Sequence, residues 1–146
     1  MNTITKKYRF PECLNGQCQP LEFERWLERK ARAHLKRDRK RGNPNATREA
    51  YKTAIYEAVV RSKGIDAYTG KQLRWDLISK YDNDESKTGG REYKKAFGDL
   101  PTVDHLEDST SGPHFNICSW RLNDAKNDLT LDEFLAVCRD VLEFNK

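Results

Sequence analysis

The segment Thr102-Val103-Asp104-His105-Leu106, the turn-rich run Glu107 to Pro113, the segment His114-Phe115-Asn116-Ile117-Cys118 and the run Ser119 to Lys126 follow one another without interruption. Thr102–Leu106 has β-type composition. The Ser, Thr, Gly and Pro of residues 107–113 must turn the chain, and His114–Cys118 is a second short strand. The two strands predict a hairpin. Ser119 is a suitable N-cap for a helix that carries Trp120, Asn123 and Lys126, and Thr130 with Glu133 forms a capping box for a last helix running to about Phe144. The order is therefore strand, loop, strand, helix, helix.

Upstream, Phe23, Trp26, Leu27, Ala31, His34 and Leu35 recur at three- and four-residue steps, which predicts a helix over about Leu21–Arg39 with one face in a core. Its other faces carry Arg25, Arg29, Lys30, Arg32, Lys36, Arg37 and Arg39; Lys40 and Arg41 extend the run to a Gly42-Asn43-Pro44 break. A second helix is expected from an N-cap at Thr47 to about Ser62, with Tyr51, Ile55, Ala58 and Val59 inward and Gly64 as its stop. From Ile65 to Pro101 the pattern weakens. Tyr68-Thr69-Gly70 reads as a turn, Leu73–Ile78 as strand or short helix, and Asp82–Gly90 as an exposed loop.

The chain has 146 residues, 36% hydrophobic and 34% charged, enough for one modest core under a densely charged surface. One domain is expected, a basic helical region at 1–63 followed by 64–146. The net charge of +4 hides an asymmetry: residues 1–63 carry 16 Lys and Arg against 7 Asp and Glu, a balance of +9, and residues 64–146 carry 11 against 16, a balance of −5. Such a split suits one surface that meets a polyanion and another that holds a cation, although solvated charge alone would also produce it. No apolar run approaches the roughly 20 residues needed to span a bilayer, and no signal-peptide core stands at the N-terminus, so a cytoplasmic location and no membrane partner are expected.

In a reducing compartment four cysteines do not suggest a disulfide framework. Cys13 and Cys18 flank Asn15-Gly16 at a spacing a turn could close onto a structural zinc, but two further ligands are missing. Cys118 and Cys138 lie among apolar residues, where a free thiol acts as a small hydrophobe. Burial is therefore preferred to zinc.

The Asp104-His105 pair, the polar residue on the second strand (His114 or Asn116) and Asn123-Asp124-Ala125-Lys126 on the helix together resemble the HNH nuclease family, and Tyr68-Thr69-Gly70 is similar to a stretch that often precedes that family's core. The likeness is tightest from Val103 to Lys126 and looser from Tyr68 to Phe134. It implies an α+β, mainly helical fold with a ββα-metal core, flanked by the basic N-terminal helices and a C-terminal helix. It also implies metal-dependent hydrolysis of DNA phosphodiesters, with Asp104 and Asn123 on one Mg²⁺ or Mn²⁺ and His105 as general base. The middle position stays open: counting nine residues back from Asn123 reaches His114, whereas matching residue type reaches Asn116, which is favoured in a supporting role. Lys126, one turn beyond Asn123, meets a phosphate oxygen or merely dresses the surface.

The chemistry agrees with those residue types, because phosphodiester hydrolysis needs a base for water, a cation for the phosphorane and help for the leaving oxygen. Oxygen ligands suit a hard cation. Neighbouring strand residues point to opposite faces, so Asp104 and His105 share a site only where the strand ends or bulges. Two departures from the family stand out. Its zinc-binding Cys-x-x-Cys pairs are replaced by Ile65-Asp66-Ala67-Tyr68 and Ser119-Trp120-Arg121-Leu122, where apolar packing by Trp120 and Leu122 is the expected substitute; and no His follows Asn123. The expected DNA contacts are Arg29, Arg32, Lys36, Arg37, Arg39, Lys40 and Arg41. The competing readings are a catalytically silent DNA-binding module and a structural subunit in a defence, phage or recombination complex.

Overall fold

Helix α1 (Pro20–Lys40) starts where Pro20 takes the first helical position, with the Gln19 N–H donating to Glu22 Oε1 at 2.8 Å. Its inward stripe is Phe23, Trp26, Leu27, Ala31 and Leu35, all buried. Helix α2 (Arg48–Ser62) starts at Thr47, whose hydroxyl accepts the Ala50 N–H, and ends at Lys63 in the left-handed conformation. It buries Tyr51, Ile55, Ala58 and Val59 against α1. The inward positions expected from the sequence are buried, with His34 half-buried, and Asp38 of α1 is buried beside them. The computed structural model describes residues 8–42, 46–80, 83–106 and 113–146, and residues 83–86 by their backbone alone.

The two helices share one core with the next segment. Trp75, in a short 3-10 turn (Trp75–Leu77), lies 5.1 Å centroid to centroid from Trp26 in an edge-on contact, and its indole N–H donates to the Gly64 carbonyl at 3.0 Å. Leu73 and Ile78 join it. Each such apolar side chain contributes about 1.5–3 kcal/mol on burial.

Strands β1 (Pro101–Leu106) and β2 (His114–Ser119) pair antiparallel, with Asp104 opposite Asn116 and His105 opposite Phe115. The connecting residues 107–112, and residues 43–45 with the Asn43-Pro44 part of the expected break, lie outside the described residues. Val103, Phe115 and Ile117 enter the core shared with α1 and α2. Arg61 fastens α2 to β2 by donating to the Phe115 carbonyl at 2.9 Å. Helix α4 (Trp120–Lys126) follows β2 directly, capped as expected by Ser119, whose hydroxyl accepts the Leu122 N–H, and folds back on both strands. Helix α5 (Leu131–Phe144) carries the expected Thr130–Glu133 capping box, yet none of its residues is buried, and Val137 and Val141 beside the half-buried Cys138 are exposed.

The fold is α+β and mostly helical. Of the loop expected over Asp82–Gly90, Asp82 lies outside the described residues and the rest belongs to helix α3 (Asn83–Ala96), broken at Gly90, whose φ of 54° and ψ of −131° are not helical. Glycine tolerates that conformation at little steric cost, and the strong helix formers of Glu92–Ala96 resume the helix beyond it. The undecided stretch at Leu73–Ile78 is the short 3-10 turn. No helix among the described residues is long and apolar enough to cross a membrane.

Candidate active-site cleft

Tyr68-Thr69-Gly70 is held against the hairpin by Asp66, whose buried carboxylate accepts the N–H groups of Tyr68 (2.8 Å), Thr69 (3.2 Å) and, across to the end of β2, Ser119 (2.9 Å). The Ala67 N–H donates to the Ile117 carbonyl at 2.9 Å, and Gly70 closes the turn at a φ of 72°. The two stretches expected to pack through Trp120 and Leu122 are thus joined by hydrogen bonds to a buried carboxylate. Trp120 packs against the core as expected, though it and Leu122 stay partly exposed. A charged acceptor satisfying three amides holds the turn more firmly than an apolar contact would.

This clamp brings Tyr68 to Asp104. The Tyr68 hydroxyl donates to Asp104 Oδ2 at 2.5 Å and accepts from Asn116 Nδ2 at 3.2 Å. Lys126 Nζ lies 3.0 Å from the same Oδ2, with both side chains less than a tenth exposed. Burial, with the Asp104 carboxylate next in effect, pushes the Tyr68 phenol up, so it serves as a donor. Lys126 is therefore neither a solvated residue nor an open phosphate contact, but the buried counter-ion of Asp104.

His105 points the other way, as alternation along a strand requires. Its Nε2 meets Asp38 Oδ2 of α1 at 2.9 Å, and the Tyr51 hydroxyl donates to that same oxygen. A carboxylate only accepts, so Nε2 carries the proton and Nδ1 is left as the basic atom. Nδ1 is enclosed, without a hydrogen-bond partner. The ring packs edge-on to Phe115 at 5.1 Å and stacks at 6.2 Å with His34, whose own pKa is pushed down to about 4, first by burial and then by Lys30 and Arg37.

Although they face apart, Asp104 and His105 line one cavity of about 880 Å³. Asn116, Asn123 and Lys126 line it from β2 and α4, and Arg37 and Arg41 from the end of α1. His114 lines a different cavity, with Arg61 and Thr47. Of the other expected DNA contacts, Arg29, Arg32, Lys36, Arg39 and Lys40 are all exposed, but Arg29 donates to the Ile78 carbonyl (3.1 Å) and Arg39 twice to the Ala46 carbonyl (3.1 and 3.3 Å). Asn127, at the C-cap of α4, adopts a φ of 53° beside the cleft.

Three of these participants were not foreseen. Asp38 sits inside an Arg/Lys run and reads as a charge-balancing residue, Asp66 stands in the stretch that replaces a family zinc pair, and Tyr68 reads as part of a turn that resembles one in the family, none of them with a role of its own. Only their partners, far away in sequence, reveal what they do. A hard cation would find oxygen donors here in the Asp104 carboxylate and the Asn123 amide; the Lys126 ammonium on Asp104 indicates that this carboxylate already attracts positive charge. Among the described residues no three His, Cys, Asp or Glu form a cluster. The Cys13 and Cys18 thiols are both pushed up by burial, Cys18 to about 11. Comparison with protein-family models, curated proteins and solved structures finds no match to this chain.

Proposed function

We propose that the cleft beside β1 hydrolyses phosphodiester bonds of DNA with the help of one divalent cation, in the manner of the HNH nucleases that the sequence resembles. The observation that carries this reading is that one cavity gathers Asp104, His105, Asn116, Asn123 and Lys126 from three consecutive elements, with Arg37 and Arg41 on its rim.

Asp104 and Asn123 would hold Mg²⁺ or Mn²⁺, which when bound supplies charge stabilisation at the phosphate. Asp38, itself held by Tyr51, fixes the His105 ring through Nε2, and Nδ1, enclosed in this conformation, serves as the base only once the ring opens toward the cleft. Asn116 holds the Tyr68 hydroxyl, which orients the Asp104 carboxylate. Arg37 and Arg41 neutralise backbone phosphates at the mouth of the cleft.

A second reading, a DNA-binding module without cleavage, draws on two observations: the Lys126 ammonium is paired with Asp104, and His105 Nδ1 is enclosed. Incubation of the purified chain with supercoiled plasmid separates the two. The nuclease reading expects nicked or linear product with Mg²⁺ or Mn²⁺ and none with EDTA; retarded but intact plasmid under every metal condition supports the silent module and overturns the nuclease.

A further inference from the structure

Next to the cleft along α4 lies a second cavity of about 470 Å³, lined by Arg91, Lys94 and Lys95 of α3 and by Trp120, Arg121 and Asp124 of α4. Four cations face one carboxylate there. Trp120 and Asp124 also line the candidate cleft, so the two cavities meet along α4. Arg121 is held in place: its Nη2 donates to the Lys95 carbonyl at 3.3 Å, and its guanidinium lies so close to Gly98 that a Cβ there would come within 2.3 Å of it. Lys94 is drawn over the Trp120 ring, 5.8 Å from the centroid, with its ammonium 3.7 Å from Asp124. Arg91 and Lys95 are exposed.

Cations arranged around a partly exposed indole suit a nucleotide, with the phosphate on the cations and the base against the ring. We propose that this cavity is a subsite for the nucleic-acid strand next to the bond that is cut, with Arg91, Lys94 and Lys95 on backbone phosphates and Trp120 against a base. It rests on the reading of the neighbouring cleft as a DNA site. It assigns to α3 a share of the binding that the sequence places on α1.

Trp120 provides the test. The chain has three tryptophans, and Trp26 and Trp75 are buried, so a bound base should change chiefly the Trp120 emission. The full-length protein is titrated in EDTA with a single-stranded oligonucleotide at several salt concentrations. Saturable quenching is expected. Trp120→Ala should weaken binding about tenfold. The surface variant Arg91→Gln/Lys95→Gln, which leaves the core untouched, should lower the slope of log affinity against log salt by about 1.4, at roughly 0.7 per phosphate on a single strand. An oligonucleotide that binds wild type and this double variant with equal affinity and slope overturns the subsite and leaves the nuclease reading standing. Equal quenching by poly-glutamate also overturns it, since the cavity then accepts any polyanion. Absence of any DNA binding by wild type removes the subsite together with the reading on which it rests.

Discussion

Asp104 is a buried carboxylate whose Oδ2 receives both Lys126 and the Tyr68 hydroxyl. Removing one member of a buried ion pair strands the other, which typically costs about 3–5 kcal/mol. Lys126→Met should therefore lower the stability of the metal-free protein by about that much. If Asp104 is a metal ligand, Mn²⁺ takes over the role of the missing ammonium. Thermal unfolding with and without saturating Mn²⁺ should then show a larger upward shift in the variant than in wild type; equal shifts would remove Asp104 from the ligand set. The Asp104-His105 and Asn123-x-x-Lys126 pattern was legible because it is local. The Lys126–Asp104 pair was not, because spacing along the chain says nothing of which side chains burial drives together, and neither did it show that a tyrosine 36 residues upstream shares the same oxygen.

Hairpin, following helix and both long N-terminal helices were legible from caps, alternation and helical repeat, each a short-range signal. Helix α3 was not: Gly89-Gly90 and a polar composition read as a loop, whereas the structure uses Gly90 as a break between helical pieces. The link between elements was hidden too. Asp66 joins the Tyr68 turn to the end of β2 by accepting three backbone N–H groups, and a turn-forming Asp looks the same in sequence whether or not a distant amide completes it. Hydrogen bonds to a charged acceptor contribute about 1.5–3 kcal/mol each, and stranded buried donors add to the loss. Asp66→Ala is expected to lower unfolding free energy in urea by about 3 kcal/mol or more and to speed hydrogen exchange at the Ser119 amide. A loss below about 0.5 kcal/mol with unchanged exchange would show that the clamp does not hold the hairpin.

Across the whole molecule, the opposite charges of the two halves meet at the cleft, where the end of α1 brings Arg37 and Arg41 to a wall formed by β1 and α4. The basic helix was legible as a candidate DNA surface, but which of its residues are available was not. Arg29 and Arg39 are engaged by backbone carbonyls of the fold itself. Arg37→Gln/Arg41→Gln should lower the salt slope of duplex binding by about 1.8, at roughly 0.9 per phosphate, with stability little changed. Arg29→Gln/Arg39→Gln should do the reverse; equal slopes for the two double variants would place the duplex away from the cleft. The central claim is that this cleft cuts DNA with His105 as its base, and its most direct test is the single-turnover cleavage rate of wild type and His105→Ala on the same duplex with saturating Mn²⁺. Loss of a positioned base predicts a rate about 10²–10⁴-fold lower, with DNA and Mn²⁺ affinities unchanged. Cleavage by His105→Ala at the wild-type rate, or none by wild type, would contradict it.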